Sequence, residues 1–322
     1  MRNTRALLLA GFAGLVSLAF FAARSDAKPE TVVKIADGVW FREGGTDGHC
    51  NNTIIEMKDY LIVVDANFPS GARLVMEDVK RLSSKPVKYV FDTHHHGDHA
   101  YGNSVWTDAG ATTLAYKGVV EEMKRREPAR WQASAKTRKD VAELNRTTVE
   151  PPKQTFDKKM FVLSDSTRRV EFHFFGWAHT RGDGFVYLPK EQILASGDAI
   201  VNGAFNALMD ANIGNWPNVI RAAQKLKVQH VLPGHGEAAG KDVMDGQILF
   251  LTELHKAVKA AVGQGKKLDD LVVMKNGAPA STSVTLPDSV KHWVGGGFPG
   301  QVQAAYEEIA QGKPYGEVTG GK

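Results

Sequence analysis

The stretch Thr93-His94-His95-His96-Gly97-Asp98-His99 concentrates metal-ligating side chains: five of its seven residues are histidine or aspartate. It follows an apolar run, Tyr89-Val90-Phe91, that reads as a short buried strand. His94 and His96 are two apart, so an extended backbone points both the same way. Gly97 permits a sharp turn, after which Asp98 and His99 face a second point close to the first. The spacing offers two imidazoles to one metal and a carboxylate with an imidazole to another. Imidazole with carboxylate suits zinc, with iron, manganese or nickel as other takers. Dense clusters of this kind are usually metal or catalytic sites; the bland reading is a solvated loop or an adventitious metal patch, and the rest of the chain must supply the remaining ligands.

It does so three more times. Gly176-Trp177-Ala178-His179-Thr180 follows the apolar strand Val170–Phe175, Ser196-Gly197-Asp198 follows Gln192–Ala195, and Pro233-Gly234-His235-Gly236 follows Val228–Leu232. Each is an apolar strand, a tight turn and a ligand-type side chain. Four such turns imply one shared cleft at the edge of a sheet sandwich. His255 and His292 lie in the helical C-terminal part and read as surface or packing residues.

The elements that must position these turns are legible from periodicity. Val32–Ala36 and Val39–Arg42 flank Asp37-Gly38, a hairpin signal. Thr53–Met57 and Tyr60–Asp65 form a second hairpin, and Leu61-Ile62-Val63-Val64 is apolar on both faces, as a central strand is. Asp65 at its tip reads equally as a carboxylate orienting a ligand histidine or as a turn cap. The Gly44 to Asn52 loop holds His49 and Cys50; the ordinary reading is a polar strand entry, the alternative a border of the metal site. Gly71–Leu82 shows helical spacing, with Ser70 before it. Val87–Asp92 then delivers the histidine cluster, so the chemistry sits at the carboxyl end of a strand. Ala111–Ala115 is another strand. Lys117–Lys153 is charged and reads as surface helices with a solvated face, or else as a lid. Phe161–Leu163, Val170–Phe175, Phe185–Leu188 and Gln192–Ala195 form a second sheet. Asn215 caps a helix reaching Leu226. Val243–Val262 and Phe298 to Gln311 are helical, and Leu268–Met274 is ambiguous.

Residues 1–27 have a basic start, an apolar run from Ala6 to Ala23 and small residues at Ser25 and Ala27, the layout of a secretory signal peptide. An uncleaved anchor is the other reading of that run. The chain carries +4; the leader holds three of the 40 basic and one of the 36 acidic residues, so the remainder carries +2. That is too near neutral to argue for nucleic acid or, once the leader is cut, for a membrane. The single cysteine excludes an internal disulfide. Residues 28–322 are expected to form one unit, a core of about 32–240 with a helical extension of about 241–322.

Taken in order, His94-x-His96-x-Asp98-His99, Gly-x-x-His179-Thr, Gly-Asp198 and Pro-Gly-His235-Gly resemble the metallo-β-lactamase-fold superfamily of metallohydrolases, over about Val32 to His235. The resemblance implies an α/β (α+β) fold, a four-layer αββα sandwich with added C-terminal helices and a two-metal site on its edge. His94, His96 and His179 would hold the first metal, Asp98, His99 and His235 the second, and Asp198 would bridge them, with two Zn2+ per chain and iron or manganese as alternatives. His95 falls at a variable position of the motif and is not assigned as a ligand. Such a site lowers the pKa of bound water to about 7, giving hydroxide at neutral pH. That hydroxide would attack an ester, thioester, lactone or amide (β-lactam) bond of a small-molecule substrate, with Asp98 also orienting the water. A bridging Asp198 is the pattern of glyoxalase-type and related exported hydrolases rather than of most β-lactamases. The exported leader and turn sequences look most like the sulfur-oxidation and quinoprotein-relay subgroup. A glyoxalase II-like thioesterase and a mononuclear-iron sulfur dioxygenase are the alternatives.

Overall fold

The computed structural model describes residues 31–45 and 47–319. The expected signal peptide lies outside the described residues. The described residues begin with β1 (Val32–Ala36), β2 (Val39–Arg42), β3 (Asn52–Glu56), β4 (Leu61–Val64), α1 (Pro69–Leu82) and β5 (Val87–Asp92). Short helices α2 (Gly97–Ala100) and α3 (Asn103–Asp108), strand β6 (Thr112–Tyr116), helices α4 (Lys117–Thr137) and α5 (Lys139–Ala142) and strand β7 (Gln154–Phe156) complete the first half. The second half runs β8 (Met160–Ser164), β9 (Arg169–Phe174), β10 (Gly184–Leu188), β11 (Ile193–Gly197), α6 (Trp216–Ala223), β12 (His230–Pro233) and β13 (Ala239–Gly240). Then come α7 (Asp242–Gly263), α8 (Leu268–Leu271), the hairpin β14 (Val272–Lys275) and β15 (Ala278–Thr282), a 3-10 turn (Asp288–Trp293), α9 (Phe298–Gln311) and α10 (Tyr315–Val318).

Strands β1 to β7 form one sheet in sequence order, and a second sheet runs β13-β12-β11-β10-β9-β8. In β4, Ile62 and Val64 face the second sheet while Leu61 and Val63 pack under α1 with Val75 and Val79. That double burial is why the strand is apolar on both faces. Phe91 and Phe172 meet across the sandwich at 4.8 Å between ring centres. Outside the second sheet, α6, α7 and α9 cover Leu194 and Val231 with Trp216, Phe250, Leu254 and Val302. The result is four layers, helix, sheet, sheet, helix, with the C-terminal helices added to the last. Strands β4, β5, β6 and β7 are mutually parallel, as are β11 and β12. Parallel neighbours bring their carboxyl ends to one edge, and the ligand turns lie there.

Several expectations change. Gln154–Phe156 is an edge strand, and Leu268–Met274 divides into α8 and the start of β14. Asn215 does not cap α6 through its side chain; its Nδ2 donates to the Trp177 carbonyl instead, at 3.0 Å. The helix ends at Ala223, before Leu226. The solvated reading of Lys117–Lys153 fails for α4, whose Glu122, Arg126, Glu127 and Trp131 are buried. Their charges are absorbed by one another and by Asp210, described below.

Candidate metal centre

The structure brings His94, His96 and His179 together, one potential ligand atom from each lying within 4.8 Å of the others. His94 and His96 come from the turn after β5, His179 from the turn after β9. His96 Nε2 lies 2.8 Å from Asp210 Oδ2, and His179 Nδ1 lies 2.9 Å from the Ala207 carbonyl. A carboxylate and a carbonyl only accept, so those two nitrogens carry the protons. The nitrogens left over, His96 Nδ1 and His179 Nε2, are 2.9 Å apart and both present lone pairs. His94 Nε2 is buried beside them with no hydrogen-bond partner. Two facing lone pairs beside a buried, unpartnered imidazole nitrogen fit a bound cation, and imidazole is a borderline donor that suits a divalent transition metal.

A second group adjoins the first. His235 Nε2 is 3.0 Å from Asp98 Oδ2, and His99 Nε2 is 3.4 Å from the same oxygen. His99 Nδ1 donates to Asp65 Oδ2 at 2.8 Å, which turns Nε2 toward the acids. Asp198 lies between the groups: its Oδ1 is 3.2 Å from His99 Nε2, and its Oδ2 is 3.6 Å from His235 and 3.7 Å from His179. His99 Nε2 and Asp198 Oδ1 also lack hydrogen-bond partners. All seven residues expected as ligands therefore meet at one sheet edge.

Local sequence explains the fit. The β11–β12 pairing sets Gly197 opposite Pro233, which places Asp198 beside His235. A Cβ on Gly234 would sit 2.1 Å from Asp198 Oδ1, and one on Gly197, at φ +50, 2.2 Å from the Thr93 hydroxyl. Only glycine lets the two turns close on the acid. Asp65 takes φ +69 at the tip of β4 and accepts from Thr93 N at 2.8 Å as well as from His99. It both orients a histidine and caps the Thr93 turn, so its two readings hold together. Contrary to the ordinary reading of the Gly44 to Asn52 loop, that loop borders the site. Cys50 lies within ligand distance of Asp65 and His99, and Asn51 donates to the Pro233 and Gly236 carbonyls at 2.9 and 2.8 Å.

The electrostatics divide the groups. Burial drives His96 down to about 3 and His179 down to about 4, and burial with crowding by other histidines holds His94 low. These three are neutral and ready to ligate at neutral pH. His99 and His235 are raised: burial opposes, but surrounding anions outweigh it. Cys50 is among the groups near His99, yet burial pushes its thiol up to about 12. At neutral pH the carboxylates Asp98, Asp65 and Asp198 therefore hold the His99 proton. Asp98 and Asp198 are themselves depressed; burial opposes this, and the adjacent histidines outweigh it.

Asp210 was not among the expected site residues. It accepts from His95 Nε2 at 3.1 Å as well as from His96, and pairs with Arg126 at 2.8 Å and Arg130 at 2.7 Å. His95 thus turns toward Asp210 and α4. Trp177 Nε1 donates to the Asp210 carbonyl at 2.8 Å, and Asp183 holds the His179 turn by accepting from Ala178 N and Thr180 N. Neither acid belongs to a spaced motif; an acid in the apolar stretch Leu208-Met209-Asp210-Ala211 was the only signal for the first. His255 and His292 join no metal-type cluster among the described residues; His292 bonds Asn202 at 2.8 Å on the surface.

The comparisons agree with this geometry. The family profile of the metallo-beta-lactamase superfamily matches residues 45–235, and the chain belongs to that superfamily. It is 24% identical over 201 residues to the metallo-beta-lactamase type 2 of Bacillus cereus, covering 60% of this chain and 70% of that one. A metallo-beta-lactamase from Pontibacter korlensis superposes with a TM-score of 0.54 at 21% identity, covering 69% of this chain and 99% of the other. One from Hirschia baltica gives a TM-score of 0.54 at 22% identity, covering 70% and 98%. At these identities the two solved structures speak for the fold. The chain is a metallo-β-lactamase-like hydrolase whose fold implies a divalent metal.

Proposed function

We propose that this chain is an exported hydrolase carrying two zinc ions, which acts on an ester, thioester, lactone or amide bond of a small molecule. The observation that supports two ions rather than one is Asp198, whose oxygens face different histidines of two adjoining groups. His94, His96 and His179 would hold one ion, and Asp98, His99 and His235 the other. The ions would supply an acidified water and positive charge where an oxyanion develops. The chain's own part is positional. Asp98, partly open to solvent, would orient the attacking water by accepting a hydrogen bond from it. Asp65 and Asp210 keep His99 and His96 in the ligating tautomer. The relatives' names make β-lactam amides one candidate substrate, and the bridging position of Asp198 keeps thioesters and lactones beside them. Export rests on the leader composition; among described residues no helix is long and apolar enough to cross a membrane.

The test is metal content of protein purified without added metal, followed by a screen of β-lactams, lactones, thioesters and phosphodiesters. About two zinc per chain with hydrolysis that Asp98→Ala abolishes, while the variant stays folded, is the expected result. One iron per chain with oxygen consumption would move the assignment to a sulfur dioxygenase.

A further inference from the structure

Two of the three histidines in the first group take their tautomer from a segment with no regular structure. Residues 199–215 link β11 to α6, and this stretch supplies both the Ala207 carbonyl for His179 and the Asp210 carboxylate for His96. Segments of this kind open locally unless other elements hold them. Here, beside the Trp177, Arg126 and Arg130 contacts to Asp210, much of the holding is done by the part of the chain beyond residue 235, where the family match ends. From α7, Gln247 accepts from Val201 N at 2.8 Å and donates to Asn206 Oδ1 at 3.0 Å. From α9, Gln301 donates to the Asn206 carbonyl at 2.7 Å. Glu308, also on α9, accepts from Ile213 N at 2.9 Å and Gly214 N at 2.6 Å, and from Tyr315 N at 2.9 Å. Around α10, Gly316 N donates to the Ala211 carbonyl at 2.9 Å and Thr319 Oγ1 to the Met209 carbonyl at 3.1 Å. Gln247, Gln301 and Glu308 are all buried.

We propose that Glu308 is a positioning residue of the metal centre, and that the C-terminal segment sets the geometry of the first metal group by clamping residues 206–215. The proposal rests on reading His94, His96 and His179 as ligands of one ion. A buried carboxylate taking up three backbone N–H groups makes charge-assisted bonds, which are shorter and stronger than neutral ones. Two of those bonds hold Ile213 and Gly214. Asn212 between Asp210 and Ile213 in turn donates from its backbone N to the Ala178 carbonyl at 2.8 Å, next to His179. The clamp and the histidine turn are therefore joined through the backbone.

Full-length Glu308→Gln loses the charge and one accepting oxygen while keeping the side-chain volume. Its zinc affinity, read by chelator competition, should fall about tenfold at the first site, the low end of the loss seen when ligand-orienting groups are removed. Amide exchange across residues 206–215 of the metal-free protein should quicken. Val302→Ala removes buried contacts on the same helix but none of the clamp's hydrogen bonds; it should lower the melting temperature yet leave zinc affinity and exchange at 206–215 as in the wild type. Wild-type affinity and exchange in Glu308→Gln, or an equal loss in Val302→Ala, would overturn the proposal. Should Glu308→Gln fail to fold, Thr319→Val decides in the same way, since it deletes a single clamp bond near the chain end. Faster exchange with weaker zinc binding supports the clamp, and no change in either refutes it. Wild-type protein that takes up no zinc would instead refute the metal-centre reading, while the exchange comparison still tests the clamp.

Discussion

At the scale of single residues, each ring nitrogen turned toward the site in His96, His99 and His179 is fixed by an acceptor on the opposite nitrogen: Asp210, Asp65 and the Ala207 carbonyl. The acceptors do not act alike, because the charge around them differs. His96 and His179 are held at about 3 and about 4, chiefly by burial, so they bear no proton to displace above about pH 5. His99 and His235 are raised above the ordinary histidine value, so they keep their protons further into the neutral and alkaline range. The sign follows: an ion entering the second group must release protons, and its affinity rises as pH rises through and above 6.5. Affinity at the first group should be nearly flat between pH 6 and 8, while the second should tighten by about tenfold per pH unit for each proton released. Chelator competition at three pH values checks this, and equal slopes at both sites would contradict it. The four turns that carry the seven converging residues were legible from pattern, because each follows an apolar strand, while the separation of the seven from His95 rested on the family resemblance. Asp210 was not, because it sits in an irregular segment where no period ties it to His96.

Among the elements, α4 departs furthest from its sequence. Lys124-Arg125-Arg126-Glu127 reads as a solvated face, and Pro128 inside the helix argues against its continuing. The helix persists because its charges are partners rather than surface. Arg126 lies between Glu122, at 2.8 Å, and Asp210, at 2.8 Å, with all three side chains at most 4% exposed. Tyr101 donates to Glu127 at 2.5 Å, and Trp131 Nε1 to the Arg146 carbonyl at 2.9 Å. Charge runs give no signal of burial, since the partners that permit it are distant in sequence. Removing one member of a buried pair leaves its partner short of compensation. Arg126→Met should therefore cost about 3 kcal/mol, the low end for a broken buried pair, because Arg125 and Arg130 still serve Glu122 and Asp210. Lys124→Ala on the exposed face should stay within about 0.5 kcal/mol. Urea unfolding of the two variants separates them, and equal midpoints would restore the solvated reading.

For the whole molecule, the ligands are shared out between the two sheets. His94, His96, Asp98 and His99 follow β5 in the first, and His179, Asp198 and His235 follow β9, β11 and β12 in the second. At that edge the halves are joined by Gly184 N donating to the Thr93 carbonyl at 2.7 Å, by Asn51 bonding the Gly234, Pro233 and Gly236 carbonyls, and by Asp210 pairing with His95, His96, Arg126 and Arg130. Without metal, the same edge gathers lone pairs of three neutral histidines and several carboxylates, which repel within each set. Ions held by residues of both sheets would fasten the sandwich at that edge, so metal loss should destabilise the fold as a unit rather than loosen one loop. An ion at 100 times its dissociation constant adds about 2.7 kcal/mol to the folded state. For a chain of this size, that places the melting temperature of chelator-treated protein at least about 5 °C below that of the metal-loaded form. Adding zinc back should restore it. Were the ligating residues of one sheet sufficient, chelation would quicken amide exchange in their turns alone and leave the melting temperature where it stood. A full drop, with exchange rising at the ends of β5, β11 and β12 together, is the outcome that a staple across both sheets requires.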